Sequence, residues 1–182
     1  LFPYTTLFRS IPTGQPINPL RNTPALRGLN QEQPFSPIYH YAFVSDRQEG
    51  LIAVNVDTLA DGEFRNNFFH RAATFNPDGV LTGARHITLA GDYAYILTDK
   101  ALVTVHLTKP WSPAAPCEVS DKKGGETCLD PKVTSIVPLR DPRATAVQFR
   151  YLWVTTANGL ELLDVTNLAR PQPVPGRRRF RW

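Results

Sequence analysis

The sequence predicts an all-β fold, and three observations lead there. Apolar, β-prone runs come in pairs around short turns, the pairs recur along the chain, and 17 prolines in 182 residues leave little room for long helices. With 42% hydrophobic and 20% charged residues, the chain is globular material rather than disordered in bulk. No run approaches the ~18 consecutive apolar residues of a membrane-spanning helix.

Taken in order, residues 1–10 (LFPYTTLFRS) resemble a translated sequencing adapter and are expected not to be native. Pro3, Tyr4, Thr5 and Thr6 interrupt any leader-like apolar stretch, and Arg9 sits at its wrong end. The lack of a leader in this sequence is then uninformative. Residues 11–37 carry Pro12, Pro16, Pro19, Pro24, Pro34 and Pro37 with little periodicity, and read as a Pro-rich linker or extended segment.

Residues 38–176 hold the repeats. Three segments resemble one another: YAFVSD from Tyr41 with GLIAVN from Gly50; YAYILTD from Tyr93 with ALVTVH from Ala101; and YLWVTT from Tyr151 with GLELLD from Gly159. Tyr41 to Leu51 spans ten residues, while Tyr93 to Leu102 and Tyr151 to Leu160 span nine each. Two apolar runs around a turn of Asp, Asn or Gly are a β-hairpin signature. Period-two patterning places Tyr93, Tyr95 and Leu97 on one face, with Tyr151 and Trp153 in equivalent places, and these aromatics are expected to pack between sheets.

Further strands flank the hairpins, at residues 68–75, 84–90, 132–139 and 143–149. Four strands per unit, repeated, is the pattern of propeller blades. The expectation is a partial β-propeller of about two to three four-stranded blades with a Pro-rich N-terminal extension. Tyr41 to Tyr93 is 52 residues and Tyr93 to Tyr151 is 58, long for a blade, and two insertions account for the excess: Asp57–Leu81 and Ser112–Pro131.

The pattern resembles the LVIVD-repeat family, whose units run hydrophobic, Gly-x-Tyr-Ala-Tyr-Val, turn, Gly-Leu-x-Val-Val-Asp-Val. Gly91 to Ile96 (GDYAYI) and Gly159 to Val165 (GLELLDV) are the best matches, and the resemblance covers about residues 39–174. It implies a β-propeller in a protein that is frequently exported or surface-associated, with no general activity. The Asp column of the family reads Asn55, His106 and Asp164 here. All three can hydrogen-bond nearby backbone, which points to turn capping rather than a shared metal site.

Residues 177–182 (RRRFRW) are expected to be a frameshifted tail. One codon choice for them, read two bases along, gives Ala-Thr-Val-Pro-Leu, which matches Ile136 to Leu139 of the preceding unit. The two end segments also decide the charge argument. The net charge of +4 and a pI of about 9.3 invite a nucleic-acid or anionic-membrane partner. Arg9, Arg177, Arg178, Arg179 and Arg181 carry that excess, and without those five the net charge is −1. No nucleic-acid partner is expected.

Cys117 and Cys128 bracket a polar, Gly-rich loop that suits a stapling disulfide, worth on the order of 2–3 kcal/mol, against the alternative of two free thiols. A disulfide favours an oxidising, extracytoplasmic compartment, periplasmic or cell-surface. Zinc would need two further ligands, and the loop holds no His. His40, His70, His86 and His106 are scattered without ligand spacing, and read as strand-edge or core-rim residues. Asn76 to Gly79 (NPDG) is turn chemistry. No nucleophile elbow, phosphate loop, haem motif or paired carboxylate is present, so no catalytic residue, metal or cofactor is expected and the chain reads as a non-enzyme. The function expected is a binding or scaffold module with a protein or cell-surface partner. The alternative is the propeller part of a larger enzyme or haem-associated redox protein.

Overall fold

The computed structural model describes residues 37–56, 65, 68–109 and 128–174. Their regular structure is β-sheet with short 3-10 turns, and no α-helix occurs among the described residues. The strands are β1 (Tyr41–Asp46), β2 (Gly50–Asn55), β3 (His70–Phe75), β4 (His86–Ala90), β5 (Tyr93–Leu97), β6 (Ala101–Thr108), β7 (Leu129–Pro138), β8 (Ala144–Gln148), β9 (Tyr151–Thr156), β10 (Gly159–Asp164) and β11 (Gln172–Pro173). They form three sheets, in the orders β1-β2-β3, β4-β5-β6-β7 and β11-β10-β9-β8. Each sheet is built on one of the three expected hairpins.

Strand position follows from composition. β5 and β6 read YAYIL and ALVTVHLT, nearly continuous apolar and β-branched runs, and they are the central pair of their sheet, buried on both faces. Pro131 and Pro138 lie in β7 and Pro173 in β11, which are outermost strands. A residue without an N–H costs least where no neighbour needs the ladder bond.

The two four-stranded sheets share one register. Tyr93↔His106 and His86↔Leu97 in the second sheet recur 58 residues later as Tyr151↔Asp164 and Ala144↔Thr155 in the third. The expected insertion at Asp57–Leu81 contains β3, the last described strand of the first sheet, and β7 begins at Leu129 inside the expected second insertion. The strand that follows the third hairpin is β11, upstream of the segment read as frameshifted. Residues 1–36 and 175–182 lie outside the described set, as does Cys117.

The chain divides between two units, one within Leu1–Ala42, Ala53–Ala72 and Thr108–Leu129, the other within Phe43–Ile52, Ala73–Leu107 and Asp130–Trp182. In the first, the 3-10 turn Pro37–His40 leads into β1, and the Val56 N–H donates to the His40 carbonyl at 2.9 Å. His40, Asn55 and Cys128 are buried there.

The second unit holds a continuous core of Tyr95, Leu97, Leu102, Leu152, Val154, Leu163 and Val165. Each side chain of Val or Leu size contributes on the order of 1.5–3 kcal/mol by leaving water. The core joins opposite faces of two sheets of equal register. β5 offers Tyr95 and Leu97, whereas β9 offers Leu152 and Val154, not Tyr151 and Trp153. Tyr151 and Trp153 are therefore only half-buried, a departure from the expected equivalence. Two like sheets stacked in the same sense must meet back to front, so equivalent residues cannot both enter one interface.

Polar groups seal the same contact. The Tyr95 hydroxyl, wholly buried, donates to the Leu168 carbonyl at 3.0 Å. Between β4 and β8, the Thr88 and Thr145 hydroxyls bond at 2.7 Å, and His86 Nε2 lies 3.3 Å from the Thr145 carbonyl. Gly50, at φ +82°, admits no side chain, since a Cβ there would stand 2.8 Å from the Phe75 carbonyl oxygen.

Burial, and then the neighbouring Tyr93, pushes the Tyr95 phenol from 10.0 up to about 12. The folded state therefore holds this proton more tightly than the unfolded chain, and its stabilising effect is complete below pH 10.0 and lost as pH rises through about 12. Tyr95→Phe is expected to destabilise by about 1 kcal/mol at neutral pH, by loss of the hydrogen bond to Leu168. It should also remove this tyrosine's share of the alkaline unfolding limb; urea titrations at pH 7 and across that limb measure both.

Candidate functional site

In a repeat of hairpins, the frame is fixed by ladders and core, and the turns are where repeats can differ. The second unit exposes two sets of turns, one at each end of its strands.

At one end, side chains close the hairpins. Asp46 Oδ1 accepts the N–H groups of Gln48 and Glu49, both at 2.8 Å. Thr98, at the same place in the second hairpin, donates to the Ala101 carbonyl and accepts from its N–H. Thr156, in the third, donates to the Gly159 carbonyl at 3.0 Å and accepts the Asn158 N–H at 3.2 Å. This column of Asp46, Thr98 and Thr156 caps the turns and was not singled out from the sequence. Its signal was there, as an Asp or Thr five residues after the tyrosine that opens each hairpin.

The same end carries a chain of charges. Arg47 donates to both carboxylate oxygens of Asp99 at 3.3 Å, and Arg85 bonds Asp99 as well. Arg85 Nη1 reaches Asp141 Oδ1 at 3.2 Å, and Arg143 closes on Asp141 Oδ2 through Nη2 at 3.1 Å. Arg85 and Arg143 are repeat equivalents, and each backbone N–H donates to the equivalent carbonyl, Leu97 or Thr155. The acidic residue is not repeated, because Ala157 stands where the second repeat has Asp99. Hydrogen bonding from Arg143, the largest cause, holds the Asp141 carboxyl below its ordinary value, with Arg85 adding to it.

At the other end, the expected capping column divides. Asp164 caps as foreseen, its Oδ1 accepting the Thr166 N–H at 2.8 Å while its Oδ2 takes Arg150 at 2.8 Å. Hydrogen bonds from Thr166, then the charge of Arg150, hold its carboxyl below the ordinary value. The His106 ring lies against the Tyr93 ring across the ladder, tilted by 55° with centroids 4.8 Å apart. Asn55 is buried in the first unit. The register brings His106 and Asp164 to equivalent positions in different sheets, so no shared ligand set forms from them. Asn76 uses its side chain to tie its own turn, accepting the Leu81 N–H at 2.8 Å and donating to the Gln48 carbonyl at 3.2 Å.

Among the described residues, no three His, Cys, Asp or Glu side chains gather as a metal set. His86 belongs to the β4–β8 contact, and His40 and His70 lie on other elements. Cys128 is buried and is not a free thiol, and its carbonyl accepts the Lys109 N–H at 3.0 Å. No helix among the described residues is long and apolar enough to cross a membrane.

The second sheet carries the decisive likeness: its strands β4 to β6, from Gly83 onward, match a known repeat model over residues 83–119. That stretch is similar to the LVIVD repeat. LVIVD repeats are β-propeller-like, and the described residues form three antiparallel sheets of three or four strands each. No curated protein and no solved structure matches the chain. The third sheet copies the ladder of the LVIVD repeat pair for pair, with Gly159 to Val165 in the register of Ala101 to Leu107.

The Asp141 carboxyl titrates lower in the folded chain than in the unfolded one. Its contribution is complete above the ordinary carboxylate value of 3.8 and is lost as pH falls through the lower folded value. Asp141→Asn is expected to lower the melting temperature at pH 7 and to flatten the decline in stability below about pH 4, read by thermal denaturation across pH. The effect at pH 7 should shrink in 1 M salt, where the Debye length is about 3 Å.

Proposed function

We propose that this chain is a non-catalytic binding or scaffold module of an exported or surface-associated protein, working through its turns on a protein or cell-surface partner. The observation that carries this reading is the contrast between frame and turns. The ladders of two LVIVD-like sheets superpose pair for pair, yet the equivalent turns carry Gly91-Asp92 against Phe149-Arg150 and Asp99-Lys100 against Ala157-Asn158. A rigid frame with varied turns is how repeat folds diversify recognition without altering the core. No cofactor, metal or nucleic acid enters this reading.

The competing reading makes the repeats the propeller part of a larger enzyme or haem-associated redox protein. The complete reading frame of the parent gene separates them. A leader followed by LVIVD repeats alone supports the module, whereas a catalytic domain or haem-attachment motif beside the repeats overturns it.

Export also bears on the cysteines. We assign Cys128 to a loop-stapling disulfide with Cys117, in keeping with its buried, non-thiol state. Thiol titration of the denatured chain, purified under oxidising conditions, should count no free thiol; two free thiols would remove the staple and the argument for an oxidising compartment.

A further inference from the structure

We propose that the front face of the third sheet docks a second copy of this chain, which seats the back face of its own first sheet there, head to tail. The inference goes beyond the binding-module reading, because it concerns sheet faces rather than turns.

The structure shows one such joint closed. Tyr95, Leu97 and Leu102, on the front of the second sheet, pack with Leu152, Val154, Leu163 and Val165 on the back of the third. Because the two sheets share one register, each residue of the joint has an equivalent in the other sheet. On the front of the third sheet, Trp153 stands for Tyr95 and Leu160 for Leu102, and Leu162 and Ala146 flank Trp153 across the ladder. Tyr95 and Leu102 are wholly buried, whereas Trp153, Leu160 and Leu162 are half-buried and Ala146 is exposed. Among the described residues, no sheet follows this face.

The matching half is open on the first sheet. Val44 stands three residues after Tyr41, as Ile96 does after Tyr93 and Val154 after Tyr151. Ile96 and Val154 are wholly buried, yet Val44 is 46% exposed. Val54 in β2 is likewise half-buried where its equivalents Val105 and Leu163 are buried. The chain therefore leaves uncovered both halves of a joint that it closes once: an aromatic front and a β-branched back. That self-complementarity names the occupant. A foreign protein would have to reproduce the back-face pattern of this repeat, whereas a second copy already carries it. Contact between different faces of identical chains is heterologous, and it grows into a ring or a filament according to whether the rotation per copy closes.

The test is analytical ultracentrifugation of the full chain over a range of concentrations, with Val44→Lys and Trp153→Lys as variants. Wild type is expected to form multiples of the single-chain mass that grow with concentration. Each lysine buries an unpaired charge in the joint, so each variant alone should associate at least about tenfold more weakly and run as a monomer where wild type assembles. An equimolar mixture of the two should recover a dimer and nothing larger, because one intact front then meets one intact back. Val44→Lys changes an exposed residue, and it decides the matter even where Trp153→Lys lacks a cooperative thermal melt. Added to wild type, its intact front should accept a copy while its own back stops growth, which lowers the mean mass. Wild type that stays monomeric at every concentration overturns the proposal. Val44→Lys that assembles like wild type also overturns it, in favour of front-to-front or strand-edge pairing. Two folded variants that remain monomeric when mixed overturn the head-to-tail arrangement.

Discussion

The face-to-back contact between two successive β-sheets governs the second unit of this molecule. Tyr95, Leu97 and Leu102 of one sheet close on Leu152, Val154, Leu163 and Val165 of the next. A single twisted sheet cannot bury its apolar faces alone, so the hairpins are stable only as a stack. The stack in turn requires each sheet to be apolar on both faces if it has two neighbours. β5 and β6 meet that demand with almost unbroken burial, while β9 alternates between buried and half-buried residues. The Tyr95 hydroxyl shows how tightly the contact is specified: buried within an apolar cluster, it finds its acceptor in the Leu168 carbonyl of the following sheet's return loop.

From this constraint follows a division of labour along each repeat. Residues inside the ladder are held to β-prone apolar types by packing. The residue at or just beyond the end of each first strand is held to a side chain able to cap a turn, as Asp46, Thr98 and Thr156 do. Turn tips carry neither obligation. There the repeats drift apart, and Arg47, Asp99, Arg85, Asp141 and Arg143 have become a chain of ion pairs with no counterpart at Ala157. Exposed pairs of this kind each contribute little, so they tune the contact rather than create it.

Much of the architecture was legible from periodicity and turn chemistry. The three hairpins, their flanking strands and the all-β class all follow from local pattern, because a strand's alternation and a turn's need for Asp, Asn or Gly are properties of a few adjacent residues. The edge prolines of β7 and β11 belong to the same kind of signal. The LVIVD likeness was also readable, since a repeat declares itself twice in one chain.

What the sequence could not determine were the properties that depend on two segments far apart. Tyr151 and Trp153 have the pattern of Tyr93 and Tyr95, but which face of a sheet enters a given interface is set by the stacking direction, a relation between sheets that no single strand encodes. The same holds for the Asp column, where Asp164 caps a turn and His106 lies tilted against Tyr93. Phe149 is the sharpest case. As a sequence it ends a strand and invites a place in the core, and only the tertiary structure shows it outside, on a backbone that its sister repeat gives to glycine. Composition and period determined what the elements are. Long-range packing decided which side of each is hidden, because burial is a property of the pair in contact and not of either member.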